Sequence, residues 1–269
     1  MTLKTCAIVL NWNGWNDTID CLESLFVTEP KPDSVIVCDN GSTDKSCDRI
    51  LKWVERHSPR IKKSDRSSGD LTLPSTPSFL LIQNPVNLGF SAGNNPGIRW
   101  ALTQERFHFI WLLNNDTRVD SNALAHLCEL AERDPKAGVI GSTIVKADQR
   151  EKLECAGGCW FEPATTVVRR ALHDESLAHV LKAPPKLKLD YIYGVSMFVR
   201  AEVFEEVGLL NEDYFLFCEE LDLCKRARKA GFELAWAPES IVYHKGGASV
   251  GSSMGRTGMA DRKKVAFAN

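Results

Sequence analysis

The chain has 269 residues, of which 43% are hydrophobic and 25% are charged. This composition excludes disordered, collagen-like and coiled-coil proteins, and the length allows a full hydrophobic core without disulfide or metal support. Lys and Arg (33) nearly balance Asp and Glu (35), which gives a net charge of −2. A dedicated nucleic-acid-binding protein would carry a basic excess, so we expect no nucleic-acid partner.

The apolar stretches and the cysteines indicate the compartment. The apolar run within residues 1–10 is too short for a signal peptide, and no run of about 18 apolar residues is present to span a bilayer. The nine cysteines include no C-x-x-C pair, and several lie in apolar runs as small core residues. Cys155 and Cys159 are interpreted as two unpaired thiols in a loop or strand. We therefore expect a cytoplasmic protein.

Apolar runs and amphipathic segments alternate along residues 1–145. The apolar runs, which have the character of strands buried on both faces, are 3–10, 34–38, 79–82, 107–113 and 138–141. The amphipathic segments between them are 16–27, 43–56, 91–104 and 121–133. This alternation predicts an α/β fold with a mostly parallel, Rossmann-like central sheet flanked by helices.

The remainder of the chain is less regular. Two segments lack periodicity. Residues 57–78 are interpreted as a surface loop between a helix and a strand, and 163–189 as a solvated excursion, with a lid or acceptor-side loop as the alternative. Strand-like runs follow at 191–200, 214–217, 232–236 and 241–243. A helix is predicted at 201–207, and another directly after 214–217, closed by Gly231.

Polar, turn-forming residues follow the first strands of the predicted sheet. These turns are 11–14 (NWNG), 39–44 (DNGSTD), 84–89 (NPVNLG) and 114–117 (NNDT). Asn, Asp and Gly dominate ordinary turns for local reasons, so no single turn indicates a site. The carboxyl ends of parallel strands share one edge of a sheet, however, and ligands bind there. Together the turns predict a polar ligand site at that edge.

Asp116 and His244 are the candidate metal ligands. Asp116 follows a buried strand, where a carboxylate suits a hard divalent cation that keeps positions open for phosphate oxygens. His244 follows another strand and precedes Gly246, and imidazole is a ligand for manganese-like ions. Each residue alone has an ordinary explanation, an Asx turn or a structural histidine, so a joint role requires a further argument.

Three acids, Glu219, Glu220 and Asp222, open a predicted helix. The helix dipole favours acids there, and Asp222 with Arg226 has the i,i+4 spacing of a surface ion pair. The aromatic run 214–217 just before them would desolvate at least one carboxylate and raise its pKa, as a general base requires. These acids are the best candidates for a base in the sequence.

The glycine-containing run 87–97 (NLGFSAGNNPG) matches neither the Rossmann nor the Walker pattern. Asn94 or Asn95 is suited to cap a helix that starts at Pro96. The exposed amides of such a helix start could approach a diphosphate.

Six motifs in order carry a family resemblance: 9–14 (VLNWNG), 37–44 (VCDNGSTD), 87–95 (NLGFSAGNN), 112–117 (LLNNDT), 215–222 (FLFCEELD) and 242–247 (VYHKGG). Together they resemble the family-two glycosyltransferases, especially the rhamnosyltransferase-like branch. The resemblance implies a single GT-A domain over 1–269, with a nucleotide-sugar-binding half of about 1–145 and a smaller acceptor-binding half of about 146–269. It further implies inverting transfer of a sugar, with rhamnose as one candidate, from a nucleoside diphosphate donor.

The resemblance also assigns roles to residues. The donor-binding positions are Leu10, Asn11, Trp12, Asp39, Asn40, Asn94, Asn114 and Asn115. Asp116 and His244 correspond to ligands of a divalent metal, Mn or Mg, that bridges the diphosphate. Glu220 corresponds to the catalytic base, with Glu219 and Asp222 beside it.

The chain departs from the family pattern in two places. Asn114 replaces the first acid of the D-x-D motif, so we expect a modest metal affinity. Glu220 is one methylene longer than the usual Asp, which leaves Glu219 as a competing base. Relatives often continue beyond the last motif, whereas this chain ends at Asn269.

The implied partners are a dTDP- or UDP-linked sugar donor and a saccharide or lipid-linked saccharide acceptor, with peripheral contact to the inner face of a membrane. One alternative is a sugar nucleotidyltransferase, but that chemistry needs a basic glycine-rich loop, and residues 11–14 contain no Lys or Arg. Another is a non-catalytic carbohydrate-binding relative. The joint presence of Asp116, the acids and His244 argues against it.

Overall fold

The computed structural model describes residues 3–57 and 78–246. The elements of the amino-terminal part are β1 (Thr5–Asn11), α1 (Trp15–Phe26), β2 (Ser34–Asp39), α2 (Ser46–His57), β3 (Ser78–Gln83), α3 (Gly89–Thr103), β4 (Phe109–Asn114), β5 (Thr117–Val119), α4 (Ala123–Arg133) and β6 (Ala137–Lys146). Those of the carboxyl-terminal part are β7 (Gln149–Ala156), β8 (Gly158–Glu162), β9 (Val167–Arg170), α5 (Leu177–Lys182), β10 (Tyr191–Ile192), β11 (Ser196–Arg200), α6 (Ala201–Val207), α7 (Glu219–Lys229) and β12 (Glu233–His244).

The main sheet has the order β3-β2-β1-β4-β11-β6-β12-β5, with β7 added alongside β6. Strands β3, β2, β1 and β4 are mutually parallel, as are β6 and β12. Strand β11 runs antiparallel between β4 and β6. This reversal brings the start of β11 to the edge of the sheet where β1, β2 and β4 end.

The core lies on both faces of this sheet, as the continuous apolar runs predict. All six residues of β2 are buried, and Trp111 and Phe109 of β4 are fully enclosed. The Phe109 ring stacks on Phe198 of β11 at a centroid distance of 4.4 Å. The Trp111 indole Nε1–H donates to Ser196 Oγ at 2.9 Å, so this buried polar group is paired.

A small second sheet, ordered β10-β8-β9, lies beside the main one. The prediction of an irregular excursion at 163–189 was wrong, because this range contains both β9 and α5. Strand β9 has little buried apolar surface, and its order comes from pairing with β8 over four residues rather than from a hydrophobic pattern. Cys155 in β7 and Cys159 in β8 are free buried thiols, as predicted.

Strand β12 replaces the two short strands predicted at 232–236 and 241–243. It continues through Pro238 because the ladder with β6 is interrupted by a bulge between Ala237 and Ile241. The carbonyl of Pro238 accepts a hydrogen bond from Thr143 Oγ1 at 2.7 Å, which holds the bulge against the sheet.

The predicted strand at 214–217 is a bend instead. Phe217 and Cys218 have φ values of 69° and 77°, in the left-handed region that no strand uses. The bend is held by α3, whose Phe90 N–H donates to Phe215 O at 2.6 Å. Gly89 also has a positive φ of 79°, and a Cβ added there would lie 2.1 Å from Phe215 O. This close approach requires glycine.

No helix within residues 3–57 and 78–246 is long and apolar enough to cross a membrane. Most of the surface loop predicted at 57–78 lies outside the described residues, although His57 closes α2 and Ser78 opens β3. The last residue of the sixth motif, Gly247, is likewise outside the described part of the chain.

Candidate active site

The polar turns after β1, β2 and β4 meet at one edge of the sheet, as predicted. Asn11 pairs with Asp39 in the β1–β2 ladder, and Leu10 pairs with Asn114 in the β1–β4 ladder. The parallel register therefore places the ends of these strands side by side.

Several predicted donor-site side chains are engaged in hydrogen bonds within this edge. Asn11 Nδ2 donates to Asp39 Oδ1 at 2.6 Å, and Asn11 Oδ1 accepts from Thr18 Oγ1 at 2.7 Å. The other carboxylate oxygen of Asp39 accepts from the Ser42 amide at 3.1 Å. The group fixes the turns after β1 and β2 against each other.

Asn40 connects the same edge to the loop before α3. Its Nδ2 donates to Asn87 Oδ1 at 2.8 Å and to Gly89 O at 2.9 Å, and its Oδ1 accepts from the Leu88 amide at 3.1 Å. The buried Asn40 side chain therefore braces the 84–89 turn.

The helix predicted to begin at Pro96 begins at Gly89, so Asn94 is not a cap but an internal residue of α3. Its Nδ2 donates to Phe90 O at 3.0 Å, and its buried Oδ1 has no hydrogen-bond partner among the described residues. Asn115 lies in the turn after β4 and is also buried, and its Nδ2 donates to Thr18 Oγ1 at 3.1 Å. Of the predicted donor-site residues, Trp12 is 40% exposed, and Leu10 and Asn114 are half-buried.

Asp116, Glu154 and His244 form a second group, which we call the histidine corner. His244 and Asp116 are 7% and 3% exposed, and His244 Nε2 lies 3.3 Å from Asp116 Oδ1. The opposite ring atom, Nδ1, donates to Glu154 Oε2 at 2.7 Å. Asp116 Oδ1 makes no well-directed hydrogen bond within the described residues. The two predicted metal ligands are thus brought together.

The charges at the histidine corner stabilise one another. Burial disfavours the charged ring, but the contacts with Asp116 and Glu154 outweigh it and raise the pKa of His244 to about 9. Burial likewise opposes ionisation of Glu154, but the hydrogen bond and charge of His244, with help from Arg170, lower the pKa of Glu154. A bound cation at Nε2 would take the place of the ring proton.

Glu219 and Glu220 form a third group, which we call the acid corner. Although they are 4% and 8% exposed, one oxygen of each carboxyl, Oε2, has no hydrogen-bond partner among the described residues. Burial raises the pKa of Glu220 to about 7, against the favourable effect of the amides at the start of α7. Burial and the neighbouring Glu220 charge raise the pKa of Glu219 well above its usual range. The arrangement favours a neutral Glu219 beside an ionisable Glu220.

Residues 193–195, which we call the bridge, connect the two corners. The Tyr193 hydroxyl donates to Glu154 Oε1 at 3.0 Å. A Cβ added at Gly194 would lie 3.4 Å from Glu220 Oε1, so the backbone there packs beside that carboxylate. The carbonyl of Val195 accepts from the Asn114 amide at 3.1 Å. The acids, the end of β4 and the histidine corner therefore share one edge.

The third predicted acid points elsewhere. Asp222 Oδ2 accepts from Arg226 Nε at 2.8 Å, which is the predicted i,i+4 pair. The same guanidinium donates to the carbonyls of Val207, the last residue of α6, and of Gly208 and Leu209, which follow it. Asp222 therefore orients an arginine that ties α7 to the end of α6.

Glu154, Arg170 and Tyr193 were absent from the sequence prediction of the site. The available signal was one glutamate inside the apolar run 153–156 (LECA), because a buried carboxylate in a strand requires partners. Nothing in the sequence indicates that its partner is His244, which lies ninety residues further along.

Family models match most of the chain. The model described as glycosyl transferase family 2 matches residues 6–157, and the model for glycosyl transferase family group 2 matches 109–257. The two ranges together contain the turns after the strands, the histidine corner and the acid corner.

Curated relatives include two sugar transferases. The chain is 28% identical over 157 residues to the low-salt glycan biosynthesis hexosyltransferase Agl10 of Haloferax volcanii, covering 57% of this chain and 47% of that protein. It is 26% identical over 252 residues to the N-acetylglucosaminyl-diphospho-decaprenol L-rhamnosyltransferase of Mycobacterium tuberculosis, covering 86% of this chain and 72% of that protein. The chain thus spans about half the length of Agl10.

Solved structures show the same fold. GalNAc-T7 with UDP, GalNAc and Mn²⁺ superposes with a TM-score of 0.67 at 13% identity, covering 90% of this chain and 44% of that one. The mannosyltransferase PcManGT of Pyrobaculum calidifontis, in complex with GDP-Man and Mn²⁺, gives 0.62 at 15% identity, covering 92% and 58%. The predicted GT-A fold is confirmed, and the chain belongs to glycosyl transferase family 2.

Proposed function

We propose that this chain transfers a sugar from a nucleoside diphosphate donor, with dTDP and UDP as the candidate nucleotides, to a hydroxyl of a saccharide or lipid-linked saccharide, with inversion. The observation that carries the proposal is the bridge, which places a buried acid pair and a buried carboxylate–imidazole pair at one edge of the sheet. Single displacement at an anomeric carbon needs a base for the acceptor hydroxyl and charge stabilisation for the leaving diphosphate.

The histidine corner fits a divalent metal. Asp116 Oδ1 is a buried carboxylate oxygen without a directed hydrogen bond, and it lies 3.3 Å from His244 Nε2. A carboxylate oxygen and an imidazole nitrogen are both ligands that a manganese-like cation takes. Within the described residues no cluster of three or more His, Cys, Asp or Glu side chains could hold a metal ion. Asp116 and His244 would hold the ion, and diphosphate oxygens and water would complete its shell.

A metal at this position would neutralise charge on the departing diphosphate. The chain's own residues then orient the donor. The residues offered to the donor would be Trp12, which is 40% exposed, and the half-buried Leu10 and Asn114. The buried residues Asn11, Asp39, Asn40 and Asn115 make the hydrogen bonds that fix the neighbouring turns. Asn94 would add its unpartnered Oδ1.

Glu220 is the proposed base. Its pKa of about 7 leaves it ionisable near neutral pH, and its Oε2 is free to accept the proton of an acceptor hydroxyl. Glu219 is the less suitable base, because burial and the neighbouring Glu220 charge raise its pKa well above the usual range. The pairing of Asp222 with Arg226 leaves that acid to a supporting role.

The relatives support the substrate class. The name of the Mycobacterium tuberculosis relative specifies a rhamnosyl transfer to a diphospho-decaprenol-linked sugar, and that of Agl10 specifies glycan biosynthesis. Rhamnose is therefore one candidate sugar, and a lipid-linked acceptor would bring the chain into peripheral contact with a membrane.

A thermal-shift screen tests the proposal. UDP, dTDP, GDP and their sugars are added with and without Mn²⁺, because a ligand that binds the native state raises its melting temperature. We expect stabilisation by one nucleotide class, larger with Mn²⁺, followed by glycosyl transfer that EDTA abolishes and Mn²⁺ restores. Absence of a shift with every nucleotide would contradict donor binding, and undiminished transfer in EDTA would contradict the metal.

A further inference from the structure

Glu154 is a buried carboxylate near the end of β7, outside every motif of the family resemblance. Its neighbours Leu153 and Cys155 are fully buried, and its own side chain is 11% exposed. An ionised carboxylate in such surroundings is strongly destabilising unless each oxygen is paired. Its partners therefore define what it does.

Both oxygens of Glu154 are engaged, and they face different sides. Oε1 accepts from Arg170 Nη1 at 2.6 Å and from the Tyr193 hydroxyl at 3.0 Å. Oε2 accepts from His244 Nδ1 at 2.7 Å. The two donors on Oε1 come from β9 and the bridge. They hold the carboxylate in place independently of its contact with His244.

The contact on Oε2 determines what the other ring nitrogen can do. A carboxylate only accepts, so His244 must carry a proton on Nδ1. In the neutral ring the lone pair is then on Nε2, which lies 3.3 Å from Asp116 Oδ1. Rotation of the ring would break the 2.7 Å contact with Glu154. Glu154 thus determines both the orientation of the His244 ring and its tautomer.

We propose that Glu154 is a positioning residue for metal binding: it orients His244 and holds its proton on Nδ1, so that Nε2 and Asp116 face one cation. This inference rests on the proposed function, because it assumes that His244 binds the metal. Arg170 and Tyr193 hold Glu154 in turn, so the support extends from β9 through β7 to the end of β12.

The substitution Glu154→Gln tests this role with little change in shape. Arg170 and Tyr193 both donate, so the glutamine carbonyl should face them and its NH₂ should face His244. A donor at that position favours the tautomer protonated on Nε2, the atom required for the metal. We expect Mn²⁺ affinity to fall by about 10- to 100-fold, the range for losing such an outer partner.

Mn²⁺ binding is measured by calorimetry and by electron paramagnetic resonance, with Mn²⁺ alone and with UDP or dTDP present. Glu151→Gln is the matched control, because it is the same substitution at an exposed position of β7. It should bind Mn²⁺ like the wild type. Tyr193→Phe removes one donor from Glu154 Oε1 but keeps the charge, so a loss below about threefold is expected.

A double-mutant cycle separates positioning from general support of the fold. In a His244→Ala background, Glu154→Gln should cause no further loss of Mn²⁺ affinity, because its effect passes through the ring. An equal loss in both backgrounds would overturn the inference. Melting temperatures without metal show whether each variant is folded.

Long-range ¹H–¹⁵N spectra of the wild type with Mg²⁺ and UDP or dTDP add a test that needs no variant. We expect His244 to be protonated on Nδ1, and protonation on Nε2 alone would overturn the inference. Equal Mn²⁺ affinity of the wild type and Glu154→Gln would overturn it while leaving the proposed function intact. Failure of the wild type to bind Mn²⁺ under any condition would remove the metal and this inference together.

Discussion

The two corners joined by the bridge differ in the charges that surround their buried groups. At the histidine corner, the ring of His244 lies between the carboxylates of Asp116 and Glu154; Glu154 uses both oxygens, whereas Asp116 Oδ1, which faces the ring, has no directed hydrogen bond among the described residues. At the acid corner, Glu219 and Glu220 each retain an unpartnered oxygen among the described residues. The pKa of His244 is raised by opposite charges, whereas the pKa of Glu220 is raised by burial. One corner is built to hold charge in place, and the other to exchange a proton.

Removing the proton acceptor should produce the largest effect. Glu220→Gln keeps the shape of α7 but cannot take a proton, so we expect transfer to fall by about 10² to 10⁴-fold with nucleotide binding unchanged. Single-turnover transfer and nucleotide titration measure the two quantities separately. Glu219→Gln is the control and should retain most activity, because that acid is expected to be neutral already. Full turnover by Glu220→Gln would move the base to Glu219 or Asp222.

Disturbing the bend before the acid corner should have the next largest effect. Gly89→Ala places a Cβ only 2.1 Å from Phe215 O, and it also forces alanine into a positive φ. Gly231→Ala has the same conformational penalty, about 1–2 kcal/mol, but its Cβ meets nothing within 4 Å.

The free energy of unfolding in urea and the kcat are measured for both variants. We expect Gly89→Ala to lose more stability than Gly231→Ala, by a further ~1–3 kcal/mol for the steric overlap, and to lower kcat as the acids shift. Equal stability and kcat in the two variants would show that α3 does not hold the bend.

Breaking the surface pair of the third acid should have the smallest effect. Asp222→Asn removes an ion pair with Arg226 that lies at the margin of the site, so stability should fall by ~0.2–1 kcal/mol. The kcat/KM ratio should stay within about threefold of the wild type. A loss as large as that of Glu220→Gln would show that the acid corner extends to Asp222.

The sequence predicts those parts of the molecule whose patterns are local. Strands β1, β2 and β4 appear as continuous apolar runs because both faces of the sheet are covered. The turns after them were predicted to meet because parallel strands align their carboxyl ends. Asp116 and His244 were connected only through the family resemblance, and the structure places them 3.3 Å apart.

The sequence misses those parts that depend on distant contacts. The aromatic run 214–217 has strand-like composition, but the hydrogen bond from Phe90 to Phe215 holds it as a bend. Strand β9 is exposed and forms by pairing with β8, so it has no hydrophobic signal. Glu154 acquires its role from Arg170, Tyr193 and His244, which come from three other parts of the chain.

The pH dependence of kcat/KM tests the division between the corners most directly. The rate is measured at saturating Mn²⁺, so that metal loading does not limit it. Glu220 must be deprotonated to accept the proton of the acceptor hydroxyl. The rate should therefore fall about tenfold per pH unit below its pKa of about 7 and level off above it. The Glu219→Gln variant should show the same acidic limb of the pH profile. An acidic limb near pH 4.5, the ordinary pKa of glutamate, would contradict the account. A limb near pH 7 that persists in the residual activity of Glu220→Gln would contradict it as well.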